Sequence, residues 1–177
     1  MKQLLFLLCI TLSIQVFAQS PPRIRVPGSS PEEQMAKRQG FFKAGTSFTK
    51  GQRYYSEDNR YCFIWQEDGN LVVYKMNGKK FNAVWNAGTA GKATKTCVFQ
   101  RDGNLVLYDF TNKPIWNAFT DNLNKARAKG NKGDLFFPSG SKPYMVMQND
   151  GNLVIYAVSY PGTGSTRWAS DSYEKNN

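Results

Sequence analysis

The chain contains no histidine. Histidine-based catalytic triads, zinc sites with imidazole ligands and imidazole pH switches are therefore excluded. Cysteine is almost as scarce, with three copies in 177 residues. Cys9 sits in an apolar N-terminal stretch, which leaves Cys62 and Cys97 for the remainder. Cys62 lies four positions before Gln66 and Cys97 three before Gln100, so on extended strands the two thiols point to opposite faces. A bridge between them stays open, because strand twist alters such parity. The 13 acidic residues are scattered. No cluster suits calcium, and where glycoside hydrolysis needs paired carboxylates in one cleft each repeat offers mainly its single Asp, with Glu67 present only in the first. No catalytic residue, metal or cofactor is expected. Nor is there a long hydrophobic run or a sustained helical period after the N-terminus.

What is present begins with a secretory pattern over residues 1–18. Lys2 gives a basic start, Leu4 to Phe17 an apolar core, and Val16-Phe-Ala18 the small-residue spacing of a cleavage site. That core is short for a bilayer span and is interrupted by Thr11, Ser13 and Gln15. A secreted protein with no membrane span in its mature form is expected. Cleavage would leave a net charge of about +9, which favours anionic surfaces nonspecifically. No aromatic-basic motif points to specific nucleic-acid binding.

Residues 19–40 carry four prolines and few apolar positions, and read as a flexible leader with room for one short helix over Glu32–Arg38. From Phe41 the texture changes. Short runs of Val, Ile, Phe, Tyr and Leu alternate with Gly, Asn, Asp and Lys clusters, which predicts an all-β domain over 41–173 and a tail at 174–177.

Three times in that domain one polar frame recurs, Gln-x-Asp-Gly-Asn-Leu-Val-x-Tyr. Its copies supply Gln66, Asp68, Asn70, Val72 and Tyr74, then Gln100, Asp102, Asn104, Val106 and Tyr108, then Gln148, Asp150, Asn152, Val154 and Tyr156. The residue after Gln drifts through Glu67, Arg101 and Asn149, whereas the hydrogen-bonding types do not. Each copy predicts a hairpin: an extended segment, an Asp-Gly turn, then a strand with Asn, Val and Tyr on one face and two aliphatic residues on the core face. A further strand ends in Trp85, Trp116 or Trp168. The β-branched Val84 and Ile115 before two of these favour an internal tryptophan cluster over exposed sugar-stacking platforms. The second and third copies are separated by 14 more residues than the first two, mostly in a basic stretch over 122–133 that reads as a solvated loop.

A carboxylate, two carboxamides and a phenol suit a neutral hexose, whose vicinal hydroxyls both donate and accept, while valine meets the C–H edge of the ring. One such pocket binds weakly, because a hydrogen bond in water nets only about 1 kcal/mol. Three on one body gain avidity on clustered glycans.

The frame resembles the sugar-binding signature of the bulb-type (monocot) mannose-binding lectins, the B-lectin domain, over Phe41–Tyr173, and all three copies match at the five signature positions. The resemblance implies a β-prism II fold, three antiparallel sheets around a pseudo-threefold axis, with one mannose site per repeat. It also implies roles: Asp68 and Asn70 at the axial O2, Gln66 at O3, Tyr74 at O4 and Val72 against the ring, with Asp102, Asn104, Gln100, Tyr108, Val106 and Asp150, Asn152, Gln148, Tyr156, Val154 repeating them. The function so implied is a non-catalytic lectin for mannose and mannosylated glycans, with homo-oligomerisation open. The alternative is a lectin-like antibacterial toxin, a bacteriocin engaging bacterial surface polysaccharide, which the basic surface and signal segment also suit. The third site, behind the enlarged basic loop, is the one expected to differ.

Overall fold

The computed structural model describes residues 37–119, 142–159 and 163–173. The signal segment 1–18, the leader up to residue 36, the basic stretch 122–133 and the tail 174–177 lie outside these residues. Among the described residues, twelve strands form three four-stranded antiparallel sheets. Each repeat supplies three consecutive strands of one sheet: β4 (Tyr61–Trp65), β5 (Leu71–Asn77) and β6 (Lys80–Asn86); β7 (Thr94–Phe99), β8 (Leu105–Asp109) and β9 (Pro114–Asn117); β10 (Lys142–Met147), β11 (Leu153–Ser159) and β12 (Thr163–Ala169).

The fourth strand of every sheet comes from the segment just before the first repeat. β1 (Phe41–Lys43) pairs with β10, β2 (Thr46–Phe48) with β7, and β3 (Arg53–Tyr55) with β4. Some fifteen residues thus cross all three sheets in reverse order of the repeats. The residues that drift after the frame Gln rest on or beside this path. Glu67 lies against Gly51 and Arg101 against Gly45, while the Asn149 Oδ1 accepts the Asp58 amide. Their variety follows from three different neighbours.

Period-two alternation places the aliphatic face inward as expected. Leu71, Val73, Leu105, Leu107, Leu153 and Ile155 are fully buried and join Phe63, Phe99, Met145 and Met147 in one core. The three tryptophans close that core on the pseudo-threefold axis. Their ring centroids lie 5.8, 5.5 and 5.8 Å apart with edge-to-face inclinations, the arrangement the aromatic quadrupole favours. The rings form the expected internal cluster rather than sugar platforms, but the β-branched neighbours do not put them there. Between each tryptophan and the partner of the frame Tyr the register slips by one residue. The extra residue is Val84, Ile115 or Arg167, and Val84 on this bulge is 39% exposed. The bulge, not an apolar neighbour, turns each indole inward.

Cys62 and Cys97 are unbridged. Cys62 pairs with Tyr74 on the outer face of the first sheet, whereas Cys97 pairs with Leu107 on the core face of the second. The parity reading therefore holds. Burial pushes the Cys97 thiol far up.

Candidate functional site

Each frame is built around a hairpin whose loop geometry the sequence dictates. The Gln66 amide donates to the Asn70 carbonyl at 2.8 Å and the Gly69 amide to the Gln66 carbonyl at 3.0 Å, and the other two copies repeat this pair. The pattern is a three-residue loop with glycine in the left-handed region, at φ of 88°, 84° and 92° for Gly69, Gly103 and Gly151. Two of these glycines also lie against the next repeat in the cycle. A Cβ on Gly69 would strike the Lys92 carbonyl oxygen, and one on Gly151 would strike the Tyr61 ring. The Asp-Gly pair is thus partly a structural requirement.

The four polar side chains are then positioned identically. Asp68, Asp102 and Asp150 each accept the amide of the frame Asn through Oδ1, at 2.9 Å in every copy. Gln66, Gln100 and Gln148 donate from Nε2 to Tyr74, Tyr108 and Tyr156 at 2.8, 2.7 and 2.7 Å. Asn70, Asn104 and Asn152 accept through Oδ1 the amide of the loop that follows each tryptophan, from Thr89, Phe119 and Asp171 at 3.0, 3.1 and 3.0 Å. All four side chains of a frame are therefore tied down before any ligand arrives.

What those bonds leave over defines the chemistry. In the first frame the second oxygen of Asp68, Oε1 of Gln66, Nδ2 of Asn70 and the hydroxyl proton of Tyr74 have no partner among the described residues. Two acceptors and two donors on one face match a run of vicinal hydroxyls. The Asp is exposed, Gln and Tyr are half-buried, and the Val differs from expectation. Val72, Val106 and Val154 lie on the predicted face but are only 3%, 2% and 2% exposed, so they form the floor of each site rather than an open platform.

The structure therefore places the five frame residues of each copy together on one hairpin. The position after the tryptophan was not among the expected site residues; there Asn86 and Asn117 stand opposite Val72 and Val106 but Ala169 stands opposite Val154. The signal in the sequence is the dipeptide that ends each third strand, Trp85-Asn86, Trp116-Asn117 and Trp168-Ala169. The basic loop expected to set the third site apart lies outside the described residues, and among the described residues the flank of the third frame is aromatic. Tyr144 stacks on Tyr156 at 5.2 Å and Phe41 on Tyr144 at 5.2 Å. Burial pushes the Tyr156 phenol up, against the lowering influence of Gln148. No group of three or more His, Cys, Asp or Glu is placed to hold a metal among the described residues.

No family model matches the chain, and no curated protein matches it significantly. Solved structures do. A monomeric monocot mannose-binding lectin from Gastrodia elata is 32% identical, covering 76% of this chain and 99% of its own, with a TM-score of 0.54. A Marasmius oreades lectin (23% identity, 77% and 93% coverage, TM-score 0.54) and a mannose-specific lectin from Crocus vernus (18%, 72% and 96%, TM-score 0.51) share the fold. Three sheets around a tryptophan-filled pseudo-threefold axis make the fold a β-prism II. With an intact frame on each sheet and a relative of this identity spanned almost end to end, the chain belongs to the bulb-type, or monocot, mannose-binding lectin family.

Proposed function

We propose that this protein is a secreted, non-catalytic lectin that binds mannose or mannose-containing glycans at up to three sites, one per frame. The observation that carries this reading is the threefold recurrence of one hydrogen-bonding geometry, Gln to Tyr and the Asn amide to Asp, which in the first frame leaves an acceptor pair and a donor pair unfilled among the described residues. Val72, Val106 and Val154 supply a small apolar floor for the ring. Catalysis finds no support, because each frame has one carboxylate and the additional Glu67 is turned against Gly51. Secretion rests on the signal pattern of residues 1–18.

Mannose-agarose retention tests the reading. Asp→Asn is the informative substitution, since it keeps the oxygen that caps the turn and replaces only the outward acceptor with a donor. The wild type should be retained with or without EDTA and released by free mannose. The triple variant D68N, D102N and D150N should pass through while remaining folded by circular dichroism. Retention of the triple variant, or release by EDTA, would reject the proposal.

A further inference from the structure

The frames are alike, but the strand two places away from each valine floor is not. Arg53 stands opposite Ile64, which stands opposite Val72. The corresponding residues are Ser47, opposite Val98 and Val106, and Phe41, opposite Val146 and Val154. Neighbouring strands are about 4.8 Å apart, so each of these residues flanks its frame at roughly the length of one or two sugar units.

Arg53 does not point away from its frame. Its guanidinium lies over the Phe81 ring at 4.9 Å, and Phe81 in turn meets Tyr74 edge-on at 6.1 Å. The positive charge is therefore carried across the outer face of the first sheet to the Tyr74 end of the frame. Cys62, the cross-strand partner of Tyr74, registers the same proximity. Burial pushes its thiol up and the Arg53 charge opposes that rise. Phe81 occupies one face of the guanidinium, while the N–H donors around its edge have no hydrogen-bond or carboxylate partner among the described residues. The two ion pairs there involve Arg38 with Glu57 and Arg60 with Asp58. An exposed arginine held by an aromatic ring beside a neutral-sugar pocket is a ready anion fork.

We infer that the first frame takes an anionic mannoside, a mannose bearing phosphate or sulfate at C6, and that Arg53 is the residue that selects it. The inference rests on the mannose reading of the frame, in which Tyr74 meets O4. C6 branches from the ring carbon next to C4, which directs its substituent toward the Phe81 and Arg53 end. A charge-assisted fork to phosphate or sulfate oxygens then adds to the hydroxyl contacts of the frame. The second frame has Ser47 at this position and carries no such preference.

Single-frame variants of the full chain test this. D102N with D150N leaves the first frame; D68N with D150N leaves the second. Each is titrated with methyl α-mannoside, mannose 6-phosphate, mannose 6-sulfate and inorganic phosphate, followed by amide shifts at low and high salt. The first frame should prefer both anionic sugars over methyl mannoside by about fivefold to tenfold at low salt, and this preference should narrow as salt rises. Arg53→Gln should abolish the preference and leave methyl mannoside affinity within about twofold, whereas Arg53→Lys should restore part of it. Equal affinity for charged and neutral sugars in the first frame would overturn the inference while leaving the mannose reading intact. So would an equal preference in the second frame, persistence in Arg53→Gln, or inorganic phosphate competing as well as the phosphorylated sugar. Failure of the first frame to bind any of the sugars would overturn both.

Discussion

Within each sheet, the frame and its flank repeat with very different strictness. The frame residues hold the same bonds at nearly the same distances in all three copies. One strand away, however, Cys62, Thr96 and Tyr144 occupy the place beside the frame tyrosine, and two strands away stand Arg53, Ser47 and Phe41. The difference has a physical basis. Between them the frame residues satisfy a turn through Asp, a neighbouring loop through Asn and a side-chain pair through Gln and Tyr, so few alternatives fit. A flank residue needs only to suit a pleated, half-open surface. Three copies of one recognition geometry can thus carry three surroundings: a cation beside an aromatic, small hydroxyls, and an aromatic row.

The largest effect that would sharpen this contrast is on stability. Gly69→Ala places a methyl against the Lys92 carbonyl at a backbone φ of +88°, and should destabilise the domain by about 3 kcal/mol. Gly78, outside the frame at φ +60° with nothing within 4 Å, should cost only about 1 kcal/mol as alanine. Urea midpoints read both, and equal losses would erase the distinction.

A smaller effect concerns the covering of the first flank. Cys62 is fully buried although it lies on an outer face, beside the Arg53 charge and the tyrosine on which Phe81 rests. Phe81→Ala should speed Cys62 alkylation several-fold in the native state while Cys97, inside the core, stays protected. Unchanged Cys62 labelling would show that Phe81 does not cover that face.

The smallest effect distinguishes the third flank by pH. Burial raises both Tyr144 and Tyr156 above the ordinary phenol range, so the folded state favours the neutral form. Their contribution is complete below pH of about 10 and is lost as pH rises through the raised values. Tyr144→Phe should therefore reduce the fall in urea midpoint between pH 9 and 11, and an unaltered fall would contradict the assignment.

Much of this was legible in the residues. The three frames could be read because Gln, Asp, Asn and Tyr recur in register while Glu67, Arg101 and Asn149 vary, and the core face followed from alternation at Leu71 and Val73. The opposite facing of Cys62 and Cys97 followed from a one-residue offset. Three features were less accessible. β1, β2 and β3 are each three residues long, too short for any period to show, and nothing local in Phe41–Lys43 indicates a partner a hundred residues away. The bulges at Val84, Ile115 and Arg167 break the simple alternation that would have placed them. The stacking of Arg53 on Phe81 joins residues from opposite edges of a sheet, which only the pairing of four strands brings together.

We propose that all three frames bind mannose separately, and counting the occupied frames is the most direct test. Titration of methyl α-mannoside into the full chain, with amide shifts resolved by frame, should saturate three independent sets of signals. D68N, D102N and D150N should each remove one set and leave the other two. A single set, no saturable shift, or the loss of all three sets with one substitution would contradict it.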